Sequence, residues 1–303
     1  MILHETNKII TFMLEGLEDY EIDKKLGDVG SKVREAAMRS LTSILLELFK
    51  SKDSNTAFSK DFIKIFFGYV MSYLNGLLKQ SVEKMGRMRL TAGDCLQLFF
   101  NELKDENLNS EIPLYEILRS TFLEDTKFNE FNQINNTSWL EASYAYKKVI
   151  HLLLYEDFSQ RLFEGLITSI GGITEDTQRC GLEEYDKLIE KIEENNRTGF
   201  IKMMYRHIKN IFLKYEKDDK VIEPLFNTLT HLLTKSVFMD SKFLEDIDQI
   251  HRFVMKENYD SKNIHKILAS VDIYYNILFL EREDSLNLFN RTLKSILLLM
   301  THK

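Results

Sequence analysis

Two arginines, Arg34 and Arg89, are the side chains whose type and spacing could do chemistry in this sequence. Each follows an acidic residue six positions earlier, Asp28 before Arg34 and Glu83 before Arg89. An arginine near an exposed turn can reach a partner's nucleotide and neutralise charge on a transferring phosphoryl group, as an arginine finger does. The same spacing also serves structure, because each guanidinium can pair with the acid of its own or a neighbouring turn. Occurrence of both in register favours the structural role. Other chemistry finds little support. The glycines form neither G-x-x-x-x-G-K nor G-x-G-x-x-G, so Gly27-x-x-Gly30 reads as a tight turn rather than a phosphate cradle. The histidines are scattered, and His231 and His251 read as packed or solvated rather than as metal ligands. Acidic pairs such as Glu183-Glu184 and Glu193-Glu194 read as solvated faces. Cys95 and Cys180 fall in separate helical segments and read as buried, reduced thiols. The expectation is a protein with no catalytic, cofactor-binding or metal-binding residues, and hence not an enzyme.

The elements that must position the two arginines are a turn and a helix. Gly27-Asp28-Val29-Gly30 permits a tight reversal, and Ser31 is placed to cap the helix that follows, with Glu35 one residue beyond the capping-box position. Val33, Ala36, Ala37, Leu41, Ile44, Leu45 and Leu48 recur at three- and four-residue intervals, which predicts one buried stripe on a helix over about 31–50. An acid in the turn with Val-Arg-x-Ala-Ala in the helix is the pattern of a HEAT-type repeat, whose helix pairs stack into a solenoid. A shift of 55 lays Glu83 on Asp28, Met88 on Val33, Arg89 on Arg34, Ala92 on Ala37 and Leu96 on Leu41. The match predicts an internal repeat.

Composition agrees with a helical chain. Only 2 prolines and 12 glycines occur in 303 residues, too few turn-formers for a sheet-rich fold of this size. The net charge of −7 comes without a basic stripe, which disfavours nucleic acid as a partner. No apolar run approaches the ~20 residues needed to span a bilayer, so a soluble cytoplasmic protein without a membrane partner is expected. The opening helix, with Ile9, Ile10, Met13, Leu14 and Leu17, resembles the second half of a helix pair, as though the chain were cut from something longer. Further helices are expected over about 59–79, 113–123, 138–154 from Trp139 onward, 158–170, 182–195, 198–215, 219–236, 241–257, 261–280 and 284–302. Residues 104–137 read as an irregular insertion or long connection, and Pro224 as a first-turn proline. Gly171-Gly172 reads as a helix stop and Thr174 as the next cap, with Glu175 in the first turn. The whole predicts an all-α, HEAT/armadillo-like solenoid of stacked antiparallel helix pairs over residues 1–303.

Specific stretches carry a family resemblance: Asp19-Tyr20, the run 27–38, Glu83-Lys84 with Arg87-Met88-Arg89, the run Gly165 to Glu175, and Pro224-Leu225 before Thr228-Leu229. In these the chain resembles the C-terminal region of the tubulin-folding cofactor D (tubulin-specific chaperone D) family, from about residue 19 to the end. It departs at Lys32, where a bulky apolar or aromatic residue is expected, and over 104–137. The resemblance implies a non-enzymatic chaperone module of the microtubule cytoskeleton. It implies β-tubulin, cofactors C and E and an Arf-like small GTPase as partners in assembling and dismantling the αβ-tubulin heterodimer. Any effect on GTP hydrolysis would be exerted on tubulin, without catalytic residues or a cofactor of the chain's own. Gly27, Asp28, Val29, Gly30, Val33, Arg34, Ala37, Arg89, Gly171, Gly172, Thr174 and Glu175 are the family-motif residues, expected to be structural. The competing reading is a HEAT-repeat scaffold or adaptor for another complex.

Overall fold

The computed structural model describes residues 2–52, 60–103, 112–123, 137–170, 175–192, 194–216 and 218–235, with isolated positions beyond. The expected helices at 241–257, 261–280 and 284–302 lie outside the described residues, as do the turn residues Gly171, Gly172 and Thr174. The described elements are α1 (Ile2–Gly16), a two-residue hairpin of β1 (Ile22–Asp23) and β2 (Gly27–Asp28), α2 (Gly30–Lys52), α3 (Lys60–Ser81), α4 (Gly86–Glu102) and α5 (Tyr115–Leu123). A 3-10 turn (Thr137–Leu140), α6 (Ala142–Val149), a second 3-10 segment (Ile150–Leu154), α7 (Glu156–Ile170), α8 (Glu175–Lys191), α9 (Glu194–Lys214) and α10 (Asp219–Lys235) complete the set. The protein is all-α. Two compact units divide the chain, Met1–Leu166 and Ile167–Lys303.

In the first unit the helices stack as in a HEAT-type solenoid. α2 packs on α4, α1 on α3, and α3 fills the layer beside α4. Buried Ala37, Met38, Leu41, Leu45, Leu46 and Phe49 form the ridge that α2 turns to its neighbours. Each such large side chain contributes about 1.5–3 kcal/mol on burial. The ridge is rotated from the expected stripe, since Val33 and Ala36 are exposed and Ile44 and Leu48 only half-buried. Periodicity locates an apolar arc but not its centre, which is set by where α3 and α4 lie. Aromatic rings continue the core through the layers. Phe49 meets Phe66 at 4.8 Å, Tyr73 meets Phe99 at 5.3 Å, and Phe100 stacks on Phe122 at 5.8 Å, which stacks on Trp139 at 6.1 Å. Tyr73 keeps its hydroxyl satisfied at 2.8 Å from Thr42 Oγ1, and burial pushes its pKa well up.

The single helix expected over 138–154 is instead three pieces. Trp139 is fully buried in a 3-10 turn, and a Cβ on Gly93 of α4 would fall inside its indole. Seating the indole there requires the chain to turn, and an extended Glu141 precedes α6. The cap of α2 also differs from expectation. Asp28 accepts the Ser31 amide at 2.9 Å, and Ser31 Oγ donates back to the Asp28 carbonyl at 2.6 Å, so Asp28 is the capping side chain. Cys95 is buried, its thiol pushed up to about 11 by burial, whereas Cys180 is half-exposed, and both are free.

In the second unit α9 and α10 pack together, as do α8 and α10, around Tyr185, Met204, Ile208, Phe212, Phe226 and Leu229. Phe212 and Phe226 meet at 5.4 Å. Pro224 is the sixth residue of α10 rather than a first-turn proline, and its carbonyl accepts Thr228 Oγ1 at 3.0 Å.

Two glycine substitutions test this packing in opposite directions. Gly93→Ala is expected to lower stability by about 1–3 kcal/mol, because the indole and α4 must separate. Gly68→Ala, where an added methyl meets nothing within 4 Å in α3, is expected to raise it by about 0.5–1 kcal/mol. Urea unfolding followed by circular dichroism measures both.

Candidate functional site: buried charges beneath the repeat turns

The turn before α2 is built around Arg34. Its side chain is 0% exposed, with Nη2 donating to Asp28 Oδ2 at 2.8 Å and Nη1 to Asp28 Oδ1 at 3.3 Å and to the Asp19 carbonyl. The Tyr20 ring lies 4.2 Å from its Cζ, and the Glu83 carboxylate of the next repeat is 3.9 Å from Nη2. Burial alone would lower its pKa, but the Asp28 bond and the neighbouring Tyr20 and Glu83 carry it above the usual arginine value. Asp28 thus serves the helix cap and the guanidinium together. Gly30 lets the loop close over this pair, since a Cβ there would sit 2.5 Å from the Asp19 carbonyl oxygen. Gly27 holds φ of 76°, a left-handed conformation that favours glycine, at the end of the hairpin loop, where Asp23 Oδ1 accepts the amides of Lys25 and Leu26.

Arg89 occupies the same place one repeat on, with a different set of partners. Its Nη1 donates to the carbonyls of Glu83 (2.6 Å) and Lys84 (2.9 Å), its Nη2 to Leu140, and its Nε to Trp139 at 3.3 Å. Carbonyls supply no neutralising charge, and burial lowers its pKa. The Glu83 side chain is left facing Arg34. Among the motif residues, Ala37 is buried where Gly16 of α1 approaches it, Val29 is half-buried and Val33 is 44% exposed. Glu175 begins α8.

A second buried cluster, absent from the expected set, also meets Tyr20. Lys79 of α3 is 1% exposed and donates to Glu18 Oε2 at 2.7 Å and Glu164 Oε1 at 2.8 Å. Arg161 of α7 pairs with Glu164 at 2.9 Å and with Glu18. Lys79 Nζ is 4.8 Å from the same Tyr20 ring that Arg34 faces, and Gln80 donates to the Tyr20 hydroxyl at 2.9 Å and to the Leu17 carbonyl at 3.1 Å. Tyr20 itself is pushed upward, chiefly by desolvation. The loop 17–21 therefore ties α1, α2, α3 and α7 together. Gly165 permits the α3–α7 approach, since a Cβ there would stand 2.5 Å from the Lys79 carbonyl oxygen. The available signal in the sequence was Lys79 itself, directly after Leu77-Leu78 in the apolar stretch that follows Lys64 of α3. Beside the cluster, Leu14, Leu17, Met71, Asn75, Asp157 and Arg161 border an open groove of about 430 Å³.

Both arginines are buried, Arg34 with its Nη donors on Asp19 and Asp28 and Arg89 with its donors on the carbonyls of residues 83, 84, 139 and 140. No group of three His, Cys, Asp or Glu is arranged for a metal ion among the described residues, and no helix there is long and apolar enough to cross a membrane.

A stack of helix pairs whose turns are pinned by buried arginines defines an α-helical repeat protein of HEAT type. Within that class the chain belongs to the family described as tubulin folding cofactor D C terminal, whose model matches residues 71–266. It is similar to the tubulin-specific chaperone D of Dictyostelium discoideum, 22% identical over 302 residues, covering 94% of this chain and 20% of that protein. The chain thus spans about one fifth of the relative's length. No solved structure matches.

Two substitutions probe the charges. Arg34→Ala leaves Asp28 and Glu83 without their cation and is expected to cost about 3–5 kcal/mol in urea unfolding. Unchanged stability, with loss of any stimulation of a partner's GTP hydrolysis, would instead assign Arg34 a finger role. Asp94 of α4 has a buried Oδ1 without a hydrogen bond, and desolvation, offset in part by Arg39, raises its pKa from 3.8 to about 6. The unfolded chain ionises first, so this residue's contribution favours folding at low pH and is lost as pH rises through about 6. Asp94→Asn should therefore raise the melting temperature relative to wild type at pH 7 and have little effect at pH 3.5.

Proposed function

We propose that the chain is a tubulin-chaperone module that binds β-tubulin, and works with cofactors C and E and an Arf-like small GTPase when the αβ-tubulin heterodimer is assembled or dismantled. What carries the reading is the family match over residues 71–266. The similarity to a protein named tubulin-specific chaperone D, which runs through nearly all of this chain, adds to it. On this reading the protein works in the cytoplasm, on the microtubule cytoskeleton. It is a binding surface rather than an enzyme, and GTP hydrolysis takes place on tubulin or the small GTPase with catalytic groups from elsewhere.

The charge of −7 carries no basic stripe, so association would rest on local apolar and hydrogen-bonding contact rather than long-range attraction. Purified chain on a solid support is expected to retain αβ-tubulin, the small GTPase or one of cofactors C and E, and to do so at both low and moderate ionic strength. Failure to retain any of them would overturn the proposal and leave a scaffold for another complex.

A further inference from the structure

The two repeat turns differ in length. α3 reaches α4 through residues 82–85, whereas α1 reaches α2 through 17–29, and the longer connection carries the β1–β2 hairpin. The ends of that connection serve the interior. Asp19, Tyr20 and Asp28 hold Arg34, and the Glu21 carbonyl accepts the Gly30 amide at 3.1 Å. Its middle does not. Ile22 and Leu26 are 63% and 79% exposed, Lys24 and Lys25 are exposed, and a Cβ on Gly27 would meet nothing within 4 Å. The bonds of the tip are to itself, with Ile22 opposite Asp28, Asp23 opposite Gly27, and Asp23 Oδ1 accepting the Lys25 amide at 2.7 Å and that of Leu26 at 2.8 Å. The turn before α4 shows that the repeat needs no such projection. A projection held in shape without a neighbour is pre-organised for contact, and insertions in helical repeats gather on the face that binds.

Charge indicates what the tip meets. Glu18, Asp19, Asp23, Asp28 and Glu83 are engaged by Lys79, the Glu21 amide, the tip amides and Arg34. Lys24, Lys25, Lys32 and Lys84 are exposed, and none has an acidic partner among the described residues. Arg87 donates to Ser31 Oγ at 3.4 Å, which sets the turn before α4 beside the start of α2 and brings these lysines to one edge of the stack. On a chain of net charge −7 this is a local reversal of sign, felt over a screening length of about 8 Å. Repeats stack through the sides of their helices and leave their turns at the edge, so another layer of the solenoid would not cover the tip. Both strands are edge strands; an extended peptide satisfies their outer amides and carbonyls, and a lipid interior does not.

We propose that the hairpin between α1 and α2 docks an extended acidic segment of a partner protein. Its carboxylates meet Lys24 and Lys25 at the tip and Lys32 and Lys84 at the foot, and its apolar side chains cover Ile22 and Leu26. The inference holds for any partner bearing such a segment and does not rest on the tubulin reading.

The test uses the full chain and a short fluorescein-labelled peptide in which glutamate alternates with leucine. Fluorescence anisotropy is expected to show saturable binding. Lys24→Glu with Lys25→Glu should weaken it about five- to thirtyfold, and Ile22→Ser with Leu26→Ser about fivefold or more. Lys50→Glu, an exposed lysine near the C-terminal end of α2, should change it less than about twofold. A peptide alternating lysine with leucine should bind the Lys24→Glu, Lys25→Glu chain better than it binds wild type. All these positions are exposed, so circular dichroism should show the variants folded. Absence of binding would overturn the proposal, as would equal loss in Lys50→Glu or failure of the charge-swap rescue. Binding to phosphatidylserine vesicles that Leu26→Ser abolishes, without binding to the peptide, would assign the tip to a lipid surface and overturn it equally.

Discussion

A guanidinium taken out of water must find partners for its donors, and the burial of Arg34 imposes that condition on everything around it. Asp19 has to offer its carbonyl, Asp28 its carboxylate, and Tyr20 its ring face. The loop can meet those demands only if Gly30 permits the close approach to Asp19. The helix start follows, because the carboxylate that holds Arg34 also caps the Ser31 amide. The start of the next repeat is drawn in too, through Glu83.

Buried ion pairs of this kind are modest sources of net stability, yet a misplaced partner leaves an uncompensated buried charge that is costly. Here two such clusters share Tyr20, whose ring lies close to both Arg34 and Lys79. A stack of apolar helices could slide by a turn with little loss of buried area. The two cations forbid it, because each has carbonyl or carboxylate partners at fixed positions on neighbouring elements. The register of α1 against α2, α3 and α7 is therefore an electrostatic property of a core that is otherwise hydrophobic.

Much of this could be read in the sequence, and the parts that could not have identifiable causes. The helices α2, α3 and α4 were legible because their apolar periods are long and their turns polar. The repeat was legible because acid, arginine, small residue and leucine recur together. The phase of the α2 stripe was not legible, since alanine, valine and isoleucine suit a covered or an uncovered face equally. The broken region at Trp139 was hidden because its demand arises from Gly93, 46 positions earlier in the chain. The Lys79 cluster joins residues 18, 79, 161 and 164, and no local spacing reveals a pairing made by three separate elements. Asp28 as cap was missed because Ser31 stands nearer the first apolar residue of the helix, and aspartate and serine cap about equally well.

The burial of Trp139 has a use of its own. It is the only tryptophan in the chain and lies wholly in the first compact unit, sealed between Gly93 and Phe122. Indole emission from this protein is therefore a private signal of one unit. Far-ultraviolet ellipticity, by contrast, sums the helices of both. A difference between the two signals during denaturation would separate the melting of one unit from the other without any label.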